Sequence, residues 1–472
     1  MKKTKIVATI GPNTAEPNKL KKMFKEGMSL ARLNGSHNSL DWHRKTISLI
    51  KKVIPNCPIL LDIPGKKIRT AILTHHPTFK KDDTIILTTA NGFNGEKKVS
   101  ITNNKLHNYL SKDDLVYADD GTLKFSVIKV VNKDIYLKAL SSGILKSSKG
   151  INVPHIKIKG KLINGRDIAM IKFAMLNKVD FIGISFVESS KHVKLIKNLI
   201  GNDTPKVVAK IENQMGLNNM QEIISAADVI MIDRGDLSTE TNIETLGIYQ
   251  KKIIKKATEL AKPVIVATEM LDNMITNSYP TKAEVLDISN SVLDGASATM
   301  LSGETAIGKY PIESIKVMSK ISSVTIKDKF ASEIINLKSE PNSEIKGTAN
   351  AIKSLCNNLP IKKIVAITIS GFAARVVSSL MPYQPIIAVS NNKDLARSFN
   401  ILLGTTGVYF NTKFYKDSLE HIPKCLKHLW QKKYIVKEDM ILIVALGYPG
   451  SRRRMNIIQT HFVKDLANNF SW

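Results

Sequence analysis

Cysteine is scarce in this chain of 472 residues: Cys57, Cys356 and Cys425 lie far apart and form no Cys-x-x-Cys pair. That excludes a disulfide framework and a zinc site built on paired thiolates, and it fits a reducing cytosol. Long hydrophobic runs are also missing. No stretch approaches the roughly 20 apolar residues that cross a bilayer. The apolar run after Met1-Lys-Lys-Thr-Lys stops at Gly11-Pro12, too short for a signal-peptide core, and reads as a first strand. The expectation is a soluble, cytoplasmic protein. Acidic residues are in deficit, 41 against 69 Lys and Arg, for a net charge of +28. Such a balance suits nucleic acid, a membrane surface or small anionic substrates. The lysines, however, are scattered in doublets such as Lys21-Lys22, Lys80-Lys81 and Lys255-Lys256. No basic arm, basic–aromatic interleaving or zinc-finger spacing accompanies them. With Ile and Asn also abundant, codon bias toward A and T explains the charge better than a nucleic-acid role.

The apolar share of 43% and charged share of 23% are ordinary for a globular protein. The length allows two or three domains. Short runs rich in Val, Ile and Leu recur at Lys5–Ile10, Met28–Leu33, Pro58–Ile63, Asp180–Phe186, Lys206–Ile211, Ala227–Ile232, Pro263–Ala267 and Ala298–Leu301. Every run but the third is followed by a helix-compatible stretch. Runs without alternation suit parallel strands buried on both faces. Eight such units predict a (β/α)₈ barrel, whose chemistry sits at the C-terminal strand ends. Polar residues fall at those ends: Thr9, Arg32 and Asn34, Asp62, Ser185, Lys210 and Glu212, Asp233 and Asp236, Thr268 and Glu269, Ser302 and Glu304.

After the third run, residues 71–155 change to short alternating strands with turn signals at Asn91-Gly92, Asn94-Gly95 and Asp119-Asp120-Gly121. This predicts an inserted all-β lid at the active-site face, placed to exclude water. The barrel then comprises residues 1–70 and 156–335. A polar stretch from Ile326 to Thr348, punctuated by Pro341, reads as a connector to a three-layer α/β domain over 336–472. Its strands are expected at Lys363–Ile369, Pro385–Val389, Gly407–Phe410 and Met440–Leu446. Ser370-Gly371 before a helix, and Arg452-Arg453-Arg454 in a glycine-bearing loop, are candidates for a phosphorylated effector. The alternative for the arginines is a solvated turn.

The chemical centre is Val207-Val-Ala-Lys-Ile-Glu-Asn213, where Lys210 and Glu212 share one face at a strand end. Ala227-Asp-Val-Ile-Met-Ile-Asp233 runs similarly into Arg234-Gly-Asp236. Carboxylates at neighbouring strand ends suit a hard divalent cation, and the lysine suits a phosphate. The alternative is a surface ion pair in a generic α/β enzyme.

With these motifs in place the chain resembles the pyruvate kinase family over nearly its whole length. Thr4-Lys-Ile-Val-Ala-Thr-Ile-Gly-Pro12, Ala31-Arg-Leu-Asn-Gly-Ser-His37, Lys149-Gly-Ile-Asn-Val-Pro154 and Lys210-Ile-Glu-Asn213 carry the resemblance. Arg234-Gly-Asp-Leu237, Ala267-Thr-Glu-Met-Leu271, Pro280-Thr-Lys-Ala-Glu284 and Met300-Leu-Ser-Gly-Glu-Thr-Ala306 extend it in family order.

The resemblance implies phosphoryl transfer from phosphoenolpyruvate to ADP in a homotetramer. It implies Mg²⁺, or Mn²⁺, on Glu212 and Asp236, with Lys210 on the phosphoryl group in flight and Arg32 on the phosphate. Gly235 and Asp236 would meet the substrate carboxylate, and Thr268 would help protonate the enolate. Asn34, Gly35, Ser36, His37, Arg69 and Lys149 would take the nucleotide, with Ser302 and Glu304 in support. Without the family, His37 reads as a loop histidine capping its own turn.

A family K⁺ site would use Asn34, Ser36, Asp62 and a threonine, but the threonine position is Ile63 and the usual glutamate is Lys67. A fixed ammonium there can replace the monovalent cation, so K⁺ is not expected to be required. Asp233 stands for an alanine, Ser238 for a glycine, Ser297 for an aspartate, Lys282 for an arginine and Arg166 for a lysine. Phe372 and Ala373 depart from the effector loop, leaving the effector open. Two other readings stay beside the kinase. A Mg²⁺-dependent aldolase or lyase on pyruvate-like enolates would form pyruvate without ADP. A degenerate non-catalytic binding protein would show salt-sensitive RNA retention and no turnover.

Overall fold

The computed structural model describes residues 3–154, 156, 162–201, 204–332, 344–414, 418–447, 455–470 and 472. The eight apolar runs form strands Lys5–Thr9, Leu30–Asn34, Ile59–Ile63, Phe181–Ile184, Lys206–Ile211, Val229–Asp233, Val264–Ala267 and Ala298–Leu301. They pair in parallel and in chain order, and the barrel closes with Val7 opposite Met300. Alternation explains why the runs must be wholly apolar. Ile6 and Ala8 pack outward with helix residues Leu20 and Met23, while Val7 packs inward with Leu30, Phe181 and Met231.

Local signals set the helices that separate the strands. Helix Pro17–Glu26 starts on proline, buries Leu20 and Met23 on one face and ends at Gly27, whose φ of 136° excludes most other residues. Helix Lys282–Asp294 begins in a capping box: Thr281 accepts from the Glu284 amide and Glu284 from the Thr281 amide. The Pro280–Glu284 motif therefore has a structural job at a helix start.

The lid is a seven-stranded sheet in the order Ile68–Arg69, Gly150–Asn152, Leu115–Ala118, Leu123–Val131, Asp134–Ala139, Thr84–Thr88, Val99–Ser100. It carries its own core around Phe79, Phe125, Ile135 and Leu137. The outgoing and returning chains pair directly, Gly150 opposite Arg69. Asp119 and Asp120, both at φ 53°, make the hairpin tip.

The C-terminal sheet runs Thr405–Tyr409, Ile386–Ser390, Ile361–Ile367, Met440–Ala445, Ile457–Phe462. Its fifth strand was not expected from the sequence. It pairs antiparallel at an edge and is nowhere fully buried, so it lacks the apolar run that marks its neighbours. The connector expectation also needs correction. Helix Pro311–Ser332 continues through residues 326–332, and helix Glu344–Asn358 begins before Ala349. No Pro or Gly interrupts the first of these helices after Pro311, so polarity alone did not end it. The three arginines Arg452–Arg454 lie outside the described residues.

This domain sits at the N-terminal end of the barrel, opposite the chemistry. Arg397 Nε lies 2.6 Å from the buried carboxylate of Asp180, just before the fourth barrel strand. Lys5 donates to the Thr405 carbonyl at 2.6 Å. Among the described residues no helix is long and apolar enough to cross a membrane.

Candidate active site

The C-terminal strand ends open into a cavity of about 420 Å³ that the lid tip overhangs. Arg32, Asn34, Ser36, His37, Asp62, Arg69, Lys149, Lys210, Gly235, Asp236, Thr268, Ser302 and Glu304 all line it, together with Lys67. Glu212 lies beneath its floor, with no exposed surface.

Lys210 is the hub. Its ammonium is 2.8 Å from Asp233 Oδ2, 3.0 Å from Glu212 Oε2 and 3.2 Å from Ser185 Oγ. Burial works to strip its proton, but Asp233 and then Glu212 outweigh that and hold its pKa above the ordinary value. For Asp233, burial is likewise overcome by Lys210, and the pKa falls. Glu212 goes the other way: burial dominates, Lys210 opposes it, and repulsion from Asp233 and Asp236 adds to a raised pKa. One Glu212 oxygen accepts from the Phe186 amide at 2.6 Å, where Phe186 adopts φ 54°. The other, Oε2, is buried and lacks a partner in hydrogen-bonding geometry, although Lys210 is near.

Arg32 is fixed at the next station. Its Nε donates to Asp62 Oδ2 at 2.7 Å and Nη1 to Thr9 Oγ1 at 3.0 Å. Asp62 Oδ1 is buried without a partner. The polar partners of Lys67 are Asp236, at 2.6 and 2.7 Å to its two oxygens, and Asp120 of the lid tip at 3.7 Å. Its pKa is raised, because these carboxylates outweigh the burial that would lower it. Lys67, expected to stand in for the monovalent cation, lines the same cavity as Asn34, Ser36 and Asp62, and its ammonium pairs with Asp236 and the lid.

Three carboxylates, Glu212, Asp233 and Asp236, each bring an oxygen within 4.8 Å of the others. With Glu212 Oε2 buried, making no hydrogen bond and paired only with the Lys210 ammonium among the described residues, this all-oxygen set fits a hard divalent cation. Asp233 joins the two residues named from sequence.

On the side where the sequence leads one to expect the nucleotide, Arg69 donates to the Ser148 carbonyl at 2.8 Å and approaches Ser36 Oγ at 3.4 Å. Lys149 pairs with Asp119 at 2.6 Å. The His37 amide donates to the Asn34 carbonyl at 3.1 Å. Burial first, then Arg69 and Arg32, lower the His37 pKa and favour its neutral ring. Gly35 is packed so that a Cβ would come within 2.5 Å of the Asp62 carbonyl oxygen.

Thr268 (φ 72°) and Glu269 (φ 52°) form a left-handed turn of non-glycine residues, a strained arrangement. Arg234 holds it. Its guanidinium donates to the Thr268 carbonyl at 2.7 Å and pairs with Asp287 at 2.7 Å. Thr268 Oγ1 accepts from the Gly235 amide at 2.8 Å. Glu304 accepts from the amides of Leu271 and Ser302, at 3.0 and 2.7 Å, and so ties two strand ends together. Sequence reasoning missed Asp119 and Asp120, which it treated only as turn formers. It also missed Asn152, which donates to Glu240 at 2.8 Å and to Asp236 at 3.4 Å. For Asn152 the available signal was its place two residues along the lid strand from Gly150.

Residues 1–315 match the family model described as the pyruvate kinase barrel domain, and residues 346–461 that of its alpha/beta domain. The chain belongs to the pyruvate kinase family. A pyruvate kinase of Thermococcus litoralis is 38% identical over 461 residues, covering 95% of each chain. That of Geobacillus stearothermophilus is 33% identical, over 98% of this chain and 81% of its own. That of Clostridium perfringens is 34% identical, over 96% and 97%. As a pyruvate kinase the chain is a glycolytic phosphotransferase, converting phosphoenolpyruvate and ADP to pyruvate and ATP. The family uses a divalent metal, in keeping with the oxygen-rich cluster on the cavity floor.

Proposed function

We propose that the cavity holds phosphoenolpyruvate between Arg32, Lys210 and Asp236 and passes its phosphoryl group to ADP bound under the lid. The observation that carries this reading is the buried Lys210 ammonium, kept charged by Asp233 and Glu212 beside the fixed guanidinium of Arg32. Phosphoryl transfer is mainly positioning and charge neutralisation, and two immobilised cations supply both.

Glu212 and Asp236 would hold Mg²⁺ or Mn²⁺, which when bound neutralises phosphoryl and carboxylate oxygens of the substrate. Arg32, braced by Asp62 and Thr9, grips the phosphate in the ground state. Lys210 faces the charge that spreads over the phosphoryl oxygens in flight. The Gly235 and Asp236 amides meet the substrate carboxylate, for which Thr268 Oγ1 must give up its bond to the Gly235 amide. The same hydroxyl then stands beside the enolate and helps deliver its proton. Asn34, Gly35, Ser36, His37, Arg69 and Lys149 form the nucleotide side, where His37 is read as a neutral contact.

The reading extends to the monovalent cation: the enzyme does not require K⁺. The Ile63 side chain offers no oxygen at the strand end and its carbonyl accepts from Ser185 Oγ, Asp62 Oδ2 is paired with Arg32, and Lys67 brings a fixed ammonium onto Asp236. Lactate-dehydrogenase-coupled turnover of phosphoenolpyruvate and ADP should therefore run at comparable rates in Na⁺ and in K⁺. A tenfold advantage in K⁺ would remove Lys67 from that role. Absence of turnover in both, from folded protein, would overturn the catalytic assignment.

A further inference from the structure

Asp236 carries an encumbrance that a metal-binding carboxylate can do without. The Lys67 ammonium spans both of its oxygens, at 2.6 and 2.7 Å, and Asn152 adds a donor to Oδ1 at 3.4 Å. A cation in contact with both oxygens draws off the charge they would give to a metal. Glu212 offers one oxygen, since the other is taken by the Phe186 amide. Hard divalent cations need several oxygen ligands, and carboxylate count governs how tightly they are held.

Asp233 supplies what is missing. It is buried, it ends the sixth barrel strand, and its carboxylate lies in the same 4.8 Å cluster as the Glu212 and Asp236 oxygens. It occupies the N-cap position of helix Arg234–Glu240 yet makes no capping hydrogen bond. Its side chain turns instead to Lys210, through Oδ2. A second sign of a ligand is Glu212 Oε2: it is fully buried, makes no hydrogen bond, and has only the Lys210 ammonium, 3.0 Å away, as an ion-pair partner in this cluster.

We propose that Asp233 is a third protein carboxylate in direct contact with the divalent cation, offsetting the hold of Lys67 on Asp236. The inference rests on the proposed Glu212–Asp236 metal site and makes the centre specific to this chain. It assigns Asp233 a ligand's role in addition to its pairing with Lys210.

The test is Mn²⁺ binding to the full-length, substrate-free protein, read by the electron paramagnetic resonance signal of free Mn²⁺. Inner-sphere waters on the bound ion are counted from water-proton relaxation. Asp233→Asn keeps the shape and Asp233→Ala removes the ligand. Both should weaken Mn²⁺ by about tenfold or more, the least expected when even a supporting residue is lost. In Asp233→Ala the bound ion should gain one exchangeable water. Unchanged affinity would overturn the proposal. Weaker binding with an unchanged water count would also overturn it, because Asp233 would then act only as nearby charge. Glu212→Gln separates the two levels of the argument. If it abolishes Mn²⁺ binding while the Asp233 variants do not weaken it, the metal site stands and the third ligand falls. If Glu212→Gln leaves binding intact, the underlying assignment of the site fails.

Discussion

Replacing Lys210 with methionine is expected to lower kcat by about 10³-fold or more, in the range of the 10³–10⁵ attributed to a single transition-state cation in phosphoryl transfer. That corresponds to roughly 4 kcal/mol or more of lost transition-state stabilisation. Methionine preserves the unbranched stem, so the loss reports the ammonium and not a cavity. The Lys210 charge is kept in place by Asp233 and Glu212 and aimed by Ser185, so no reorganisation is needed when phosphoryl charge develops. Because the proposed grip of Arg32 on the ground-state phosphate is left in place, KM for phosphoenolpyruvate should move far less than kcat. Steady-state kinetics of the variant decides the matter. A fall in kcat of less than tenfold, or a loss confined to KM, would move Lys210 from the reacting group to simple binding.

The second large effect concerns stability and lies at the other end of the barrel. Arg397→Ala leaves the Asp180 carboxylate, 1% exposed, with the Ile59 amide at 2.8 Å but without its guanidinium. Removing one partner of a buried ion pair typically costs about 3–5 kcal/mol. The pH dependence follows from the direction of the shift. Burial, only partly offset by Arg397, raises Asp180 from 3.8 to about 6. A carboxyl raised on folding penalises the native state when ionised, and the penalty fades as pH falls through the folded pKa. Without Arg397 the folded pKa rises further, so the destabilisation should be large at pH 7.5 and clearly smaller near pH 5. Thermal unfolding of the variant and parent at both pH values measures this, and Asp180→Asn in the Arg397→Ala background should restore part of the loss. An equal loss at both pH values would mean that Arg397 acts through packing alone.

The sequence made the barrel readable for a specific reason. Parallel strands buried on both faces must be apolar throughout, so each one stands out, and each ends at the rim where a polar residue is useful. Arg32, Lys210, Glu212, Asp236 and Thr268 were visible for that reason. What escaped were side-chain partnerships across long separations. Lys67 reaches Asp236 over 169 residues, and Asn152 reaches Glu240 over 88. A strand pattern records which face a residue occupies, but not which charge it meets from another strand or from the lid. Arg234 shows the converse. Beside Gly235 and Asp236 it resembles one more phosphate-binding cation, yet its guanidinium braces the strained turn at Thr268. The edge strand Ile457–Phe462 escaped because an edge need not be buried.

The paired strands at the root of the lid have a consequence for how the chain finds its structure. The third and fourth barrel strands meet across the whole insertion, with the Ile59 amide bonded to Asp180, 121 residues away. Closing so long a segment of disordered chain is entropically expensive, with a cost that grows as the logarithm of its length. Yet Arg69 and Gly150 are neighbours in the lid sheet. Once the lid has formed, it short-circuits the segment to about forty flexible residues, saving roughly 1 kcal/mol of closure entropy. Lid amides should thus gain protection before those of the third and fourth barrel strands in pulse-labelled hydrogen exchange during refolding. Simultaneous protection would show that the barrel closes without this shortcut.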